Sequence, residues 1–411
     1  MDSRAPRVFF VNRFFFPDLT ATSQLLSDLA FALAERGFSV TVITSRLRHD
    51  DPTALFPRGE NIRGVEVVRV RTSRFGGEAR LRWRALDYLS FYLPAMLALL
   101  ARVRRGDLIV AKTDPPLVSV FASGVAWMRG ARLVNWLQDV FPEVAERTEL
   151  GFIMRGLLAW WLRKLRDASL HRALINVVLG ESMLRLVAAR GVPKERIRIV
   201  ANWVDDRKIT PLPRGESTLR APWGLEGKFV VGYSGNMGQV HEFKTIISAA
   251  ARLVRREDIV FLFIGRGKQR GFVEWQVKER GLRNVRFEPY QDQGVLRESL
   301  GVLDVHFVTQ LPAVEGLVFS SKLYGGLAAG RPVIFIGPTD GDIARLLREG
   351  DCGLAFAAGD EDGVAGAIEQ LAADRARGEV MGANGRRMLE SRFSRNGAIA
   401  AWEELLRETT R

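Results

Sequence analysis

Residues 7–44 read RVFFVNRFFFPDLTATSQLLSDLAFALAERGFSVTVIT. A short apolar run at 7–12 gives way to a stretch of helical periodicity from near Thr22, which Gly37 closes before the β-branched run SVTVIT at 39–44. Strand, helix and strand in that order predict a βαβ unit, with glycine at the usual C-terminal position of the helix. The same alternation continues through further β-rich runs at 65–70, 107–111, 131–136, 174–179 and 197–200. It begins again at 229–233 and runs through 259–264, 285–287, 303–307, 332–336 and 353–356. Strands alternating with helices predict parallel sheets covered on both faces, and the pattern occurs twice.

The chain has 411 residues, too many for one ordinary domain, and 47% of them are hydrophobic. Residues 206–227 carry three prolines and three glycines without periodicity and read as an interdomain connection. The expected organisation is a domain over 1–205, the connection at 206–227, a second domain over 228–390, and a terminal helix in 391–411 packing back toward the first domain. Two doubly wound domains in series are expected to face each other across a cleft, with ligands at the carboxyl ends of the strands.

The formal charge is +13, with 31 basic and 19 acidic residues up to residue 200 against 29 and 28 after it. The excess therefore sits in the first half. One cysteine, Cys352, excludes a disulfide framework and a cysteine-ligated zinc site, and fits a reducing compartment. Arg13 breaks the apolar start and no small-residue cleavage site follows, so no secretory signal is expected. The uncharged run at 88–101 contains Pro94 and falls short of the ~20 residues needed to span a bilayer.

Three motifs follow strands of the second half. YSGNMG, at 233–238, combines Gly235 and Gly238 with a helical pattern from about Glu242 to Arg255, and reads equally as a phosphate cradle and as a bare tight turn. FIGRGKQR, at 263–270, departs from the dinucleotide fingerprint, and its Arg266 and Lys268 suit a diphosphate better than a nicotinamide cofactor. EGLVFSSKLYGGLAAGRPV, at 315–333, places Glu315 on a loop, Ser320 and Ser321 as helix caps, and Lys322 in the first helical turn. A lysine there is disfavoured by the helix dipole, and an anion held beside it resolves the conflict.

In this order the motifs resemble the donor-binding domain of glycosyltransferase family 4, and the first half agrees through residues 15–44, WLQDVFPE (136–143), LGESM (179–183) and ANWVD (201–205). The likeness is to the bacterial exopolysaccharide and O-antigen subgroup, which includes fucosamine and colanic-acid transferases. It implies the GT-B fold, and transfer of a sugar from a nucleotide diphosphate to a lipid-linked or polysaccharide hydroxyl, with retention at the anomeric carbon. It further implies no metal or other cofactor, a polyprenyl-diphosphate-linked acceptor, and a cytoplasmic enzyme peripheral to the inner face of the cytoplasmic membrane. Gly235, Asn236, Gly238, His241, Arg266, Ser321 and Lys322 are then the donor-binding candidates, with Glu315 a catalytic one. Relatives carry an arginine and a lysine where this chain has Asn236 and His241, and a second glutamate where it has Gly325. A sugar-nucleotide epimerase of the same fold and a non-catalytic nucleotide-sugar- or lipid-binding subunit remain as alternatives.

On the acceptor side, Thr22 and Ser23 open the first helix. Asp139, after the strand 131–136, is the candidate for orienting or deprotonating the acceptor hydroxyl. His171 and His306 fit packing positions, and the four histidines lack metal spacing. Asp340 and Asp342 form a D-x-D pattern that helix capping explains. Residues 80–105 and 154–166 join cations to aromatic side chains: Arg80, Arg82, Trp83, Arg84, Tyr88, Phe91 and Tyr92, then Trp160, Trp161, Arg163, Lys164 and Arg166. An anionic membrane surface suits them, whereas no nucleic-acid-binding signature accompanies them.

Overall fold

The computed structural model describes residues 7–18, 20–48, 55–73, 81–148, 156–213 and 215–410. It divides into two compact units. The first comprises Met1–Glu146, Leu150–Ala201 and Ala398–Arg411, and the second Arg147–Glu149 and Asn202–Gly397.

Among the described residues the first unit is built on eight strands: β1 (Val8–Val11), β2 (Val40–Ser45), β3 (Gly59–Ile62), β4 (Val65–Val70), β5 (Leu108–Lys112), β6 (Arg132–Trp136), β7 (Ile175–Val178) and β8 (Ile197–Ile199). Their order is β3-β4-β2-β1-β5-β6-β7-β8, parallel throughout except for the β3–β4 hairpin. That hairpin, with its exposed and polar β3 GENI, is an addition to the predicted strands. β1 is buried along its length and lies between β2 and β5, which is why VFFV carries no polar side chain. One sheet face, with Phe9, Val11, Ile109 and Ala111, lies under the helices Leu81–Arg102 and Val118–Arg129. Trp402, on the helix Arg395–Thr410, meets Trp136 at 4.7 Å between ring centroids. Arg36 pairs with Glu403 at 2.7 Å, and Arg132 donates to the Thr409 carbonyl.

The second unit has six parallel strands, β9 (Phe229–Ser234), β10 (Ile259–Ile264), β11 (Val285–Glu288), β12 (Val305–Thr309), β13 (Val333–Ile336) and β14 (Gly353–Phe356). Their order is β11-β10-β9-β12-β13-β14, so the sheet reverses direction of growth between β9 and β12. Such a switch point opens a crevice at the carboxyl ends of the strands. Residues 206–227, expected as a connection, belong to this unit. Leu225 is buried in its core, and Arg220 donates to the carbonyls of Val302 and Lys228 and pairs with Asp304. A run dense in proline and glycine is thus held by one buried arginine in place of helical periodicity.

Among the described residues no helix is long and apolar enough to cross a membrane. Arg80 and the side chains of Arg82, Trp83 and Arg84 lie outside the described residues. Phe91 and Tyr92 are core residues, contrary to their expected place at a lipid surface. Arg166 is likewise buried, its guanidinium bonded to both oxygens of Glu143. A buried aromatic in a helix with two apolar sides is indistinguishable in sequence from an exposed one.

Trp402 is fully buried. Trp402→Ala should therefore destabilise the protein by about 3–5 kcal/mol, read as a lower midpoint in chemical denaturation.

Candidate functional site

Three turns meet at the carboxyl edge of the second sheet. After β9 the chain passes through Gly235 at φ 128° before the helix Lys244–Arg252, shorter than the predicted one. After β10 it passes through Gly265 and Gly267, both at φ 141°. A Cβ on Gly265 would stand 2.1 Å from the Gly235 carbonyl oxygen, and one on Gly267 would stand 2.5 Å from Asn236 Oδ1. Only glycine permits this approach. The Met237 N–H donates to the Arg266 carbonyl at 2.8 Å, and Gln269 Nε2 donates to the carbonyls of Gly238 and His241 at 2.7 and 2.9 Å. The third turn follows β12, where the Leu311 N–H donates to the Val240 carbonyl at 2.8 Å.

Lys322 begins the short helix Lys322–Ala328 and reaches back over these turns. Its Nζ donates to His241 Nε2 at 3.0 Å and lies 5.4 Å from the centroid of the Tyr233 ring. The other imidazole nitrogen, Nδ1, is 2.7 Å from the Thr309 carbonyl, which only accepts. That contact places the ring proton on Nδ1 and leaves Nε2 a lone pair for the lysine. Burial and the Lys322 charge push His241 down to about 3, so the imidazole is neutral. Burial alone lowers Lys322 to about 8. A cation held on a neutral imidazole keeps its full charge for an anion.

The other donor-side candidates take different positions. Asn236 accepts from the Tyr233 hydroxyl through its carbonyl. The Arg266 guanidinium lies 5.3 Å over the ring of Tyr290. Ser321 is exposed and Ser320 buried, and neither hydroxyl caps the helix. Glu315 accepts from Gln310 Nε2 at 2.8 Å through one oxygen and from the Asp342 N–H at 3.1 Å through the other. Its carboxylate therefore caps the helix Asp342–Glu349, a task expected of Asp340 or Asp342. Asp342 bonds to Arg345, and no group of metal-binding side chains occurs among the described residues. His306 contacts the Leu300 carbonyl in the core, and His171 the Arg190 carbonyl at the surface.

A second polar cluster lies at the carboxyl edge of the first unit. The helix Ala21–Glu35 is capped by Thr20, whose hydroxyl accepts from the Ser23 N–H at 3.3 Å. Thr22 donates to Asp114 at 2.9 Å, while Ser23 is fully buried. Asp139 lies at an open position among packed neighbours, and desolvation together with the Asp114 charge pushes it up to about 6. Lys112, at the end of β5, is fully buried with its Nζ 3.6 Å from the centroid of Trp136. Burial drives its ammonium well below the ordinary lysine value, and Asp114 opposes this. Asp114 thus couples Thr22, Lys112 and Asp139. It follows β5 in the run KTDPP, a carboxylate at the end of a central strand that the motif reading passed over.

Comparison with known proteins bears on both units. Residues 21–203 match the family described as Glycosyl transferase 4-like domain, and residues 228–374 match Glycosyl transferases group 1. WcaI of Escherichia coli (strain K12), a glycosyl transferase assigned to colanic acid biosynthesis, is 27% identical over 334 residues, covering 76% of this chain and 79% of its own. Among solved structures, sucrose-phosphate synthase from Thermosynechococcus elongatus superposes with a TM-score of 0.77 at 19% identity, over 98% of this chain and 99% of that one. Anabaena HepE in complex with UDP-glucose does so with a TM-score of 0.72 at 16% identity, over 98% and 99%. At such identities the structural likeness concerns the fold, two Rossmann-like parallel-sheet units of the GT-B type.

Asp139 titrates higher when folded than its ordinary 3.8. Between those values the folded state binds more protons than the unfolded one, so stability falls as pH rises through the window. Asp139→Asn should remove that fall between about pH 4 and 6, as measured by denaturant midpoints across pH.

Proposed function

The chain belongs to the family 4 glycosyltransferases, and on that premise we propose that it moves a sugar from a nucleotide diphosphate to a hydroxyl of a lipid-linked or polysaccharide acceptor in cell-surface polysaccharide biosynthesis. One observation carries the donor side: Lys322, donating to a neutral His241, over glycine turns packed backbone on backbone at the carboxyl edge of the sheet. As the sugar leaves, negative charge develops on the diphosphate, and a fixed cation in a partly desolvated site stabilises that charge more than it stabilises the ground state. Lys322 fills this role in our reading, without a metal. HepE binds UDP and UDP-glucose, which makes a uridine diphosphate sugar the first donor to try.

In the first unit, Asp139 takes the proton of the acceptor hydroxyl or orients it. A pKa near 6 suits this task, because such a carboxylate is ionised at neutral pH yet more basic than an ordinary one. Desolvation is the main cause of that value, the Asp114 charge adds to it, and Asp114 also accepts from the Thr22 hydroxyl. Retention at the anomeric carbon belongs to this proposal through family membership. The acceptor we propose is a polyprenyl-diphosphate-linked saccharide, met by an enzyme peripheral to the cytoplasmic face of the membrane. WcaI's assignment and the basic first half support it.

Calorimetric titration with UDP in the presence of EDTA tests the donor side. The wild type should bind, and Lys322→Ala should lose about 1.5–3 kcal/mol of binding free energy, the range for hydrogen bonds to a charged group. Unchanged affinity would remove Lys322 from the site. The pH profile of kcat/KM in a transfer assay tests the pairing of roles. It should rise through about pH 6 as Asp139 ionises and fall through about pH 8 as Lys322 loses its proton. Asp139→Asn should abolish the rising limb along with most activity.

A further inference from the structure

We infer that the outward face of the helices Leu81–Arg102 and Leu157–Arg172 is a bilayer-docking surface that inserts apolar side chains, with cations only framing it. The inference rests on the membrane association proposed above and names both the surface and the force. The helix Leu81–Arg102 has two apolar sides. Phe91, Ala95 and Leu99 are buried on one, and Leu86, Leu89, Leu93 and Leu97 stand on the other, the last three each more than half exposed. A surface helix of a globular protein ordinarily presents polar residues there.

The helix Val118–Arg129 packs against both of the others, so the three form one side of the first unit. Trp127 on it is 80% exposed, and Trp160 and Trp161 on the third helix are also open. Large apolar side chains left exposed on three packed helices mark an interaction site.

Charge selects the occupant. Of the eight lysines and arginines on the three helices, Arg166 is buried on Glu143, Arg163 pairs with Glu146 and the side chains of Arg82 and Arg84 lie outside the described residues. Arg129, Lys164 and Arg172 are exposed, while the helices carry two acids, Asp87 and Asp167. Asp87 is buried and accepts from Ser73, and Asp167 pairs with Arg166, so neither offers an unpaired carboxylate on this side. A second copy of the chain would bring cation against cation across a two-fold axis. Anionic headgroups complement the cations, and tryptophan suits the depth just beneath them.

The Arg13 guanidinium lies 5.4 Å over the ring of Tyr88, and Tyr92 donates to the Pro116 carbonyl, so the first half of the leucine helix abuts the edge that holds Asp114. Tyr88 and Tyr92 lie on the side of this helix opposite the leucine stripe, so the thickness of one helix separates a bilayer docked on the leucines from the edge that holds Asp114.

Flotation with vesicles of phosphatidylcholine and phosphatidylglycerol in equal parts tests the surface. The full chain should float, and should remain bound in about 1 M salt, where the screening length falls to about 3 Å. The double variant Leu93→Glu, Leu97→Glu should lose partitioning by at least about tenfold, because each leucine forfeits its burial and gains a charge. The variant should keep the wild type's denaturant midpoint and near-UV circular dichroism, which shows that the first unit folds whether or not the chain binds UDP, and so separates loss of this surface from failure of the donor-site assignment. Flotation abolished by salt would assign binding to the cations alone and overturn the proposal. So would flotation indifferent to the glutamates, or a wild-type dimer in sedimentation that the variant dissolves.

Discussion

A methyl group on Gly265 would stand 2.1 Å from the carbonyl oxygen of Gly235, and most of the architecture at the carboxyl edge of the second sheet follows from that approach. The turns after β9 and β10 can lie on each other only because both positions lack a side chain and both adopt positive φ. Once they touch, the Gly235 N–H meets the Ile264 carbonyl, Met237 meets Arg266, and Gln269 binds back across the pair. Lys322 then lies along Gly235, its Cε 3.1 Å from where a Cβ would be. Backbone contact thus sets the floor of the site, and one long side chain sets its charge.

Where the family resemblance implies an arginine and a lysine, this chain has Asn236 and His241, and Lys322 donates to the second of them. Two adjacent ammonium or guanidinium groups repel each other until an anion arrives. A neutral imidazole, its proton fixed on Nδ1 by the Thr309 carbonyl, instead accepts a hydrogen bond and holds the lysine in place beforehand. The cost of ordering a flexible side chain is met in folding and not in binding.

Much of this was legible in the sequence. Alternation of β-rich runs and helical periods placed thirteen of the fourteen strands among the described residues, because parallel strands buried on both faces announce themselves as unbroken apolar runs. β3 escaped because GENI is polar and exposed at a sheet edge. The glycine turns and Lys322 were visible as motifs, since close approach demands particular residues at particular spacings. The jobs of Thr20, Glu315 and Asp114 were not, because each depends on a partner brought close by the fold. Glu315 caps a helix that starts 27 residues later, and Asp114 meets Thr22 across 92 residues. The outward leucines escaped for a different reason: composition counts a leucine without telling which side of its helix it occupies.

Trp402 lies on Trp136, yet the chain builds almost the whole of the second unit between them. The first unit is therefore discontinuous, and its sheet waits for a helix encoded some two hundred residues beyond Ala201. At the roughly 5–20 residues per second of synthesis, the surface that receives Trp402 stays uncovered for roughly 10–40 s after its strands have emerged. Timing on the ribosome thus becomes part of this protein's folding problem, with an apolar sheet face that must be shielded by other means until its cover is made.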